Sequence, residues 1–310
     1  MIKLKTMVTS RYSDEEFMYK FMTGLKFVCI SAAFTLCVLL FTYLLMRLDL
    51  IYFVAHGYPG AIEFQDAFYD FVYSSLIDEI PLVFGVMLFI FGLGFYLSSI
   101  MIRPFKEISR YCEDRMSNNK NFFYSPDYFS DLKLLTSFSV FFFSKIDEAK
   151  NKGKLTEVEI PADFSRIHKP VLEKNFFLNY LFIIVIFALL ASVGIFVINN
   201  LIRDQIYILA QKFLHTHRGV IANTRFLEEQ FSVADVAVYF FIFFHMLMYF
   251  LFGIHLYGTV SGPAFAVFAT MRSFLKGNYH NRVHLIGHYY LRNDCRKINK
   301  YLDMLQKDLT

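Results

Sequence analysis

Three histidines, His280, His284 and His288, recur at intervals of four, and on a helix that spacing would line one face with imidazoles able to hold a metal ion. Two more, His245 and His255, lie ten residues apart inside an apolar run, where an ionisable side chain is a functional suspect by default. A proton or ion path there would need partners, and no acidic residue lies in the middle of the other apolar runs. A neutral imidazole bonded to a neighbouring helix is the plainer reading, with Asp235 hydrated or interfacial near one end of the same run. Cys29, Cys37, Cys112 and Cys295 make no C-x-x-C pair and no disulfide framework, and they read as small apolar or helix-face residues. Gly92-Leu93-Gly94 lacks the third glycine and preceding strand of a dinucleotide site, so it reads as a close-packing point for another helix. There is no Ser-His-Asp order and no P-loop. These residues predict no catalytic group, no cofactor and no metal, hence no enzyme.

The elements that must position them are membrane helices. Of 310 residues, 56% are hydrophobic and 19% charged, and the apolar ones cluster around Val38, Phe91, Ile186 and Phe243. Each run is roughly 20 residues, the length at which a helix crosses about 30 Å of hydrocarbon. What remains falls into pieces of at most roughly 75 residues, marginal as independent globules. The first run starts near Leu25 with no small-residue cleavage site after it and reads as a retained anchor. A net charge of +4, dispersed along the chain, argues against nucleic acid. The 39 phenylalanines and 20 tyrosines, without tryptophan, suit bulky membrane helices and their interfaces.

Lysine and arginine alternate by loop. Five lie up to Lys26, one between Arg47 and Glu79, thirteen between Arg103 and Lys174, four between Arg203 and Ser232, and eight after Tyr257. The positive-inside rule then places both termini and the central segment in the cytoplasm and two loops of roughly 30 residues outside. The first is acidic (Asp49, Glu63, Asp66, Asp70, Asp78, Glu79), whereas the second carries Arg203, Lys212, His215, His217, Arg218 and Arg225. Apolar positions at helical spacing in 62–71, and at Ile206, Leu209, Phe213 and Leu214, predict a short helical excursion in each.

The chain is built twice. Each half runs span, external loop, span, then a stretch opened by proline: Arg103-Pro104-Phe105 and Gly262-Pro263-Ala264. In both, 28 residues separate that proline from a leucine, Leu132 or Leu291. Seams stepping by three and four follow: Leu132, Leu135, Ser139, Phe142 and Ile146, and Leu291, Cys295, Ile298, Leu302 and Leu305. The preceding helices show the same stepping in Val260, Ala264, Val267, Met271 and Phe274, and at the start in Met101, Phe105, Ile108 and Cys112. The 15-residue connector from Lys276 to Tyr290 exceeds the roughly 2 to 8 residues of an antiparallel helix hairpin, and it is long enough to return the chain for a parallel pair.

The second half resembles a HAMP domain, the relay module between transmembrane helices and cytoplasmic outputs of bacterial receptors and histidine kinases. Ser261-Gly262-Pro263 looks like the Gly-Pro opening of that family's first helix. Gly277, with Tyr279 and Val283 two and six residues on, resembles its connector, and Ile298-Asn299 with Leu302 and Leu305 resembles its second helix. The acidic pair that opens the family's second helix is replaced by His288-Tyr289-Tyr290-Leu291. The first half resembles the module as a degenerate copy: Pro104 and its seam fit, Ser130-Asp131-Leu132 is partly like the acidic opening, and the connector Asn118-Asn119-Lys120-Asn121-Phe122-Phe123 lacks the glycine. On the extended connector implied for 277–290, the histidine spacing loses its meaning.

The resemblance implies an all-α integral membrane protein of the bacterial inner membrane. It would have four transmembrane helices and two cytoplasmic HAMP-like two-helix units forming a parallel four-helix bundle. The expected organisation is a cytoplasmic segment 1–24, a first transmembrane pair 25–102, a degenerate unit 103–147, a linker 148–175, a second pair 176–257 and a HAMP-like unit 258–310. The implied function is a signal relay through Pro104, Gly262, Pro263, Gly277, Tyr279, Val283, Ile298 and Asn299, acting on a protein partner in trans as well as the lipid bilayer. A static membrane scaffold or assembly subunit and a small transporter are the alternatives. The bundle could close within one chain as a pseudo-dimer or between chains in a homodimer.

Overall fold

A computed structural model describes residues 14–57, 61–117, 124, 132–170, 173–216 and 220–309. The described residues are helical or irregular, with no strand. The helices are α1 (Glu15–Ala55), α2 (Ala61–Met116), α3 (Lys133–Lys152), α4 (Ala162–Ser165), α5 (Lys174–Thr216), α6 (Val220–Leu275) and, after a 3-10 turn at Tyr289–Leu291, α7 (Arg292–Leu309). Four of them contain a stretch long and apolar enough to cross a membrane: Glu15–Ala55, Ile80–Met116, Lys174–Ile208 and Glu228–Leu275.

These helices outrun the spans expected of them. At 1.5 Å per residue, the 41 residues of α1 reach about 60 Å and the 56 of α2 about 85 Å, two to three hydrocarbon thicknesses. The segment 62–71, expected as a separate excursion, is the opening of α2, and Ile206 and Leu209 lie on α5. The physical reason is that charged residues do not end a helix; glycine, proline or a competing cap does, and 64–80 offers no such stop. Pro104 and Pro263 lie within α2 and α6 rather than beginning new helices.

The chain divides into two compact units, one of 25–93 with 183–251 and one of 1–24, 94–182 and 252–310. In the first, Met46, Leu50, Phe53, Phe68, Ile206 and Ala210 form a buried apolar cluster. Its outward faces carry exposed Leu36, Leu40, Leu44, Phe84, Leu88, Phe89, Leu190 and Phe243. An apolar surface this extensive does not face water in a monomeric soluble protein and suits lipid tails.

The second unit gathers four amphipathic segments: 101–116 of α2, all of α3, 260–275 of α6 and all of α7. Every seam residue named from the three-four stepping is buried, Met101 to Cys112, Leu132 to Ile146, Val260 to Phe274 and Leu291 to Leu305. Contacts between segments advance in the same direction along both members. On α2 and α3, Tyr111 meets the Phe143 ring at 4.2 Å and Arg115 pairs with Asp147 at 2.9 Å, the same offset of 32 residues. On α3 and α6, Phe138 packs on Phe268 at 4.7 Å and Phe142 on Phe274 at 6.2 Å. On α2 and α7, Ser109 bonds Asp294 at 2.6 Å and Glu113 pairs with Lys297 at 2.6 Å.

Helix ends in this unit are closed by chemistry the sequence provides. Gly153, at φ 68°, ends α3, and the N–H groups of Gly153 and Lys154 return to the Lys150 and Ala149 carbonyls. Leu132 at the opposite end offers no side-chain cap, and the Leu134 N–H donates instead to Glu173 Oε1 at 3.0 Å. The Glu173 N–H in turn donates to the Tyr257 hydroxyl at 2.8 Å. Burial raises the Glu173 carboxyl above its ordinary range.

Candidate functional site

Proline has no N–H, so Pro263 inside α6 leaves the carbonyl of Thr259, four residues back, without its helical donor. The Tyr290 hydroxyl supplies one, donating to Thr259 O at 2.6 Å. That single hydrogen being spent, the 3.0 Å contact between Tyr290 and His288 Nδ1 requires the imidazole to donate. Burial pushes the Tyr290 hydroxyl up, which keeps it a donor, and pushes His288 down, which keeps it neutral. The Tyr19 ring of α1 stacks on Tyr290 with centroids 3.9 Å apart, and its hydroxyl lies 3.3 Å from Thr259 Oγ1. Three chain segments distant in sequence therefore meet where α6 is weakened by its proline and where the turn into α7 begins.

The connector is fixed at both ends. Gly277 adopts φ +92°, which by itself demands glycine, and a Cβ there would also meet Oε1 of the movable, exposed Glu157 side chain at 2.9 Å. The Asn278 N–H closes back on the Ser273 carbonyl at 3.1 Å, ending α6. Tyr279 packs on Phe274 at 5.3 Å, and Val283 is buried. Asn299 holds Val283 by both backbone groups: Oδ1 accepts its N–H at 2.8 Å and Nδ2 donates to its carbonyl at 3.0 Å. Arg282 donates to Asp303 at 2.8 Å and to Gln306 at 2.7 Å, both on α7.

The residues expected to relay thus occupy two sites. Gly277, Tyr279, Val283 and Asn299 hold the connector to the helices, Ile298 is buried in the α7 seam, and Pro263, preceded by Gly262, frees the carbonyl that Tyr290 meets. Pro104 is buried on α2, and the first connector, 118–123, with Ser130 and Asp131, lies outside the described residues. Beyond it Tyr124 packs against Tyr111 at 5.7 Å and Phe143 at 5.3 Å. α7 opens four residues after His288, and its first turn does carry a buried acid, Asp294, raised by burial and bonded to Ser109.

The other candidates disperse. His280 faces Gln306 at 3.0 Å, His284 is exposed and His288 serves Tyr290; among the described residues no group of three or more ligands could hold a metal. His245 is fully buried, its Nδ1 2.8 Å from Ser192 Oγ and its Nε2 3.3 Å from Ser31 Oγ, with the Tyr249 hydroxyl 2.7 Å from Ser31 and donating to the Phe27 carbonyl. This network ties α6 to α1 and α5, while His255 is exposed. Asp235 is engaged by Arg203 at 2.6 Å. The four cysteines are free, Cys112 and Cys295 buried in the seams.

Sequence reasoning missed Tyr290, Thr259 and Tyr19. The freed carbonyl was computable from Pro263 alone; which hydroxyl would reach it was not. Comparison with protein-family models, curated proteins and solved structures finds no match to this chain.

Proposed function

We propose that this protein is a membrane-embedded signal relay. In this reading its four amphipathic segments form a HAMP-like parallel four-helix bundle closed within one chain, and displacement of the spans alters the surface shown to a protein partner in trans. The common direction of the α2–α3, α3–α6 and α2–α7 contacts carries the reading, because an antiparallel pair would step in opposite senses. Bundles of this kind switch between packings separated by a few kcal/mol, a range that small span movements can bias. The joint at Pro263 and Tyr290 supports a path for that bias, since a shift of α6 there moves the donor that begins α7. The residues involved act as conformational elements, not as catalysts.

One observation favours a static scaffold. After Gly153 the linker runs across the ends of two helices, where the Leu155 N–H donates to the Leu309 carbonyl at 3.1 Å and the Val158 N–H to the Leu275 carbonyl at 2.9 Å. Arg272 Nη1 then reaches the carbonyls of Phe164 at 2.8 Å and Ile167 at 2.6 Å. Such a clasp would hold the far end of the bundle shut.

Hydrophobic mismatch separates the two readings. Spans shift or tilt when hydrocarbon thickness changes. A disulfide pair, Glu113→Cys with Lys297→Cys in a background lacking the four native cysteines, is reconstituted in bilayers of short and long acyl chains. A relay changes its crosslinking rate severalfold between the two and loses that response in Pro263→Ala/Gly277→Ala; a static clamp keeps one rate throughout. Single cysteines at Val267 and at Leu302 are expected to give no intermolecular bond, and a pair with Ile108 an intramolecular one.

A further inference from the structure

In the unit of 1–24, 94–182 and 252–310, the exposed large apolar side chains among the described residues fall into two sets. Met22, Tyr96, Leu178, Phe182 and Ile254 stand on the long helices α1, α2, α5 and α6, where lipid tails suit them. The rest are Val140 on α3 and, together on the connector, Ile286 at 95% exposure and Tyr289 at 42%.

The connector climbs α7 towards its first turn. His280 meets Gln306 at 3.0 Å, Arg282 bonds Asp303 at 2.8 Å and the Val283 N–H donates to Asn299 at 2.8 Å, each step nearer the start of α7. The chain then bows outward through 284–289, with a turn at Gly287 where a Cβ would meet nothing within 4 Å. It closes at Tyr290, which donates to the Thr259 carbonyl and stacks on Tyr19. Thr259 lies five residues past Ile254 and Tyr19 three before Met22, the outermost exposed large apolar residues of α6 and α1. At 1.5 Å per residue, Tyr290 is thus about 5–8 Å beyond the apolar surface. A headgroup layer has that thickness, because about 30 Å of hydrocarbon lies within roughly 40–45 Å of bilayer.

Basic side chains share this level. A groove of about 490 Å³ between the connector tip and α7 is lined by His284, Arg292 and Arg296 and by no acidic residue. His284 and Arg296 are exposed, and Arg292 remains 55% exposed while bonded to Glu15 at 2.6 Å. Tyrosine and arginine beside a bare apolar side chain suit the membrane interface, where rings and aliphatic groups enter the headgroups and guanidinium groups meet phosphate.

We infer that the connector tip is an interfacial anchor: Ile286 and Tyr289 enter the headgroup layer of the bilayer that the spans cross, and Arg292 and Arg296 meet the phosphates of anionic lipids there. The contact lies one residue from Tyr290, so it ties the start of α7 to the membrane surface. The inference rests on the spans crossing a bilayer and not on the relay reading, which either result below leaves where it stands.

The chain has no tryptophan, so Ile286→Trp, Val140→Trp and Leu178→Trp each give the full chain a single emitter. Each is reconstituted into vesicles of phosphatidylcholine with phosphatidylglycerol. Relative to Val140→Trp, Ile286→Trp is expected to be at least about threefold less quenched by aqueous acrylamide and at least about twofold more quenched by phospholipid brominated high on the acyl chain. Acrylamide access equal to that of Val140→Trp overturns the proposal. So does shielding without brominated-lipid quenching, which means that a second copy covers the tip. Leu178→Trp must be quenched by the same lipid; if it is not, the membrane reading fails and this proposal with it. Omitting phosphatidylglycerol, or adding Arg292→Gln with Arg296→Gln, should raise acrylamide access of Ile286→Trp at least about twofold, and indifference to both overturns the role of anionic lipid. Because tryptophan itself favours interfaces, the wild type is measured too: exchange of the 285–289 amides should be at least about threefold slower in the mixed vesicles than in phosphatidylcholine alone, and equal rates also overturn the proposal.

Discussion

The joint at Thr259 makes a claim that a double-mutant cycle can break. Tyr290→Phe keeps the ring stacked on Tyr19 and removes only the hydroxyl, leaving the Thr259 carbonyl with neither a helical nor a tyrosine donor. A buried carbonyl stranded in this way costs about 1–3 kcal/mol, and the half-buried position of Thr259 favours the lower part of that range. His288 also loses its acceptor, yet it is half-exposed and can turn to water. Pro263→Ala restores an N–H four residues after Thr259, so in that background Tyr290→Phe should cost less by about 1–2 kcal/mol. At 1.36 kcal/mol per decade this coupling is roughly a 5- to 30-fold difference in opening equilibrium. Native-state hydrogen exchange across 288–296 of detergent-solubilised protein reads that opening directly, without complete unfolding. Independent sites add within about 0.5 kcal/mol, so equal costs of Tyr290→Phe in both backgrounds, within that error, would refute the idea that the hydroxyl substitutes for the proline's missing donor.

Three further outcomes follow from the geometry. Asn299→Leu strands both backbone groups of Val283 and is expected to cost about 2–4 kcal/mol, speeding exchange of the Val283 amide at least roughly 30-fold; a change under about threefold would show that the connector is held otherwise. Gly277→Ala should cost about 1–2 kcal/mol in thermal stability, mostly from φ +92°, and adding Glu157→Ala should recover only the smaller steric part because the Glu157 side chain is exposed and can swing away. For Asp294, burial raises the folded-state pKa, so the protonated acid is favoured on folding: its contribution is complete below about pH 3.9 and is lost as pH rises through the raised value. Melting temperatures measured from acidic to neutral pH should therefore fall more steeply in wild type than in Asp294→Asn, and parallel profiles would remove Asp294 as the cause.

The seams were legible because a three-four period states which face is buried whatever it is buried against, and Val260, Val267, Leu302 and Leu305 needed no partner to be named. Asn299 was legible through its family resemblance, although its two-handed grip on Val283 was not. The length of these helices is not legible from Glu63, Asp66 and Arg203, whose charges suggest loop chemistry, because charged residues lie comfortably on a helix continuing into water. Asp49 reads in the sequence only as one negative charge in an acidic loop; it is buried beside Gln230, some 180 residues away, and no local pattern carries that. His245 stands out in the sequence as an ionisable residue in an apolar run, but Ser31 and Ser192, its partners, are ordinary small residues in such runs and carry no signal of their own.

The shared seam also has a consequence in time. Phe138, Phe142 and Phe143 of α3 pack on Phe268 and Phe274 of α6 and Tyr301 of α7, which are synthesised later; from Phe143 to Tyr301 the ribosome must add 158 residues. At about 5–20 residues per second, the first half waits roughly 8 to 30 s with its apolar stripe uncovered. During that interval the nearest complementary surface is the identical half emerging from a neighbouring ribosome on the same message. Exchange of halves between nascent chains is therefore the misassembly this architecture invites, and slowing translation between Lys152 and Leu291 should raise the yield of interlocked dimers.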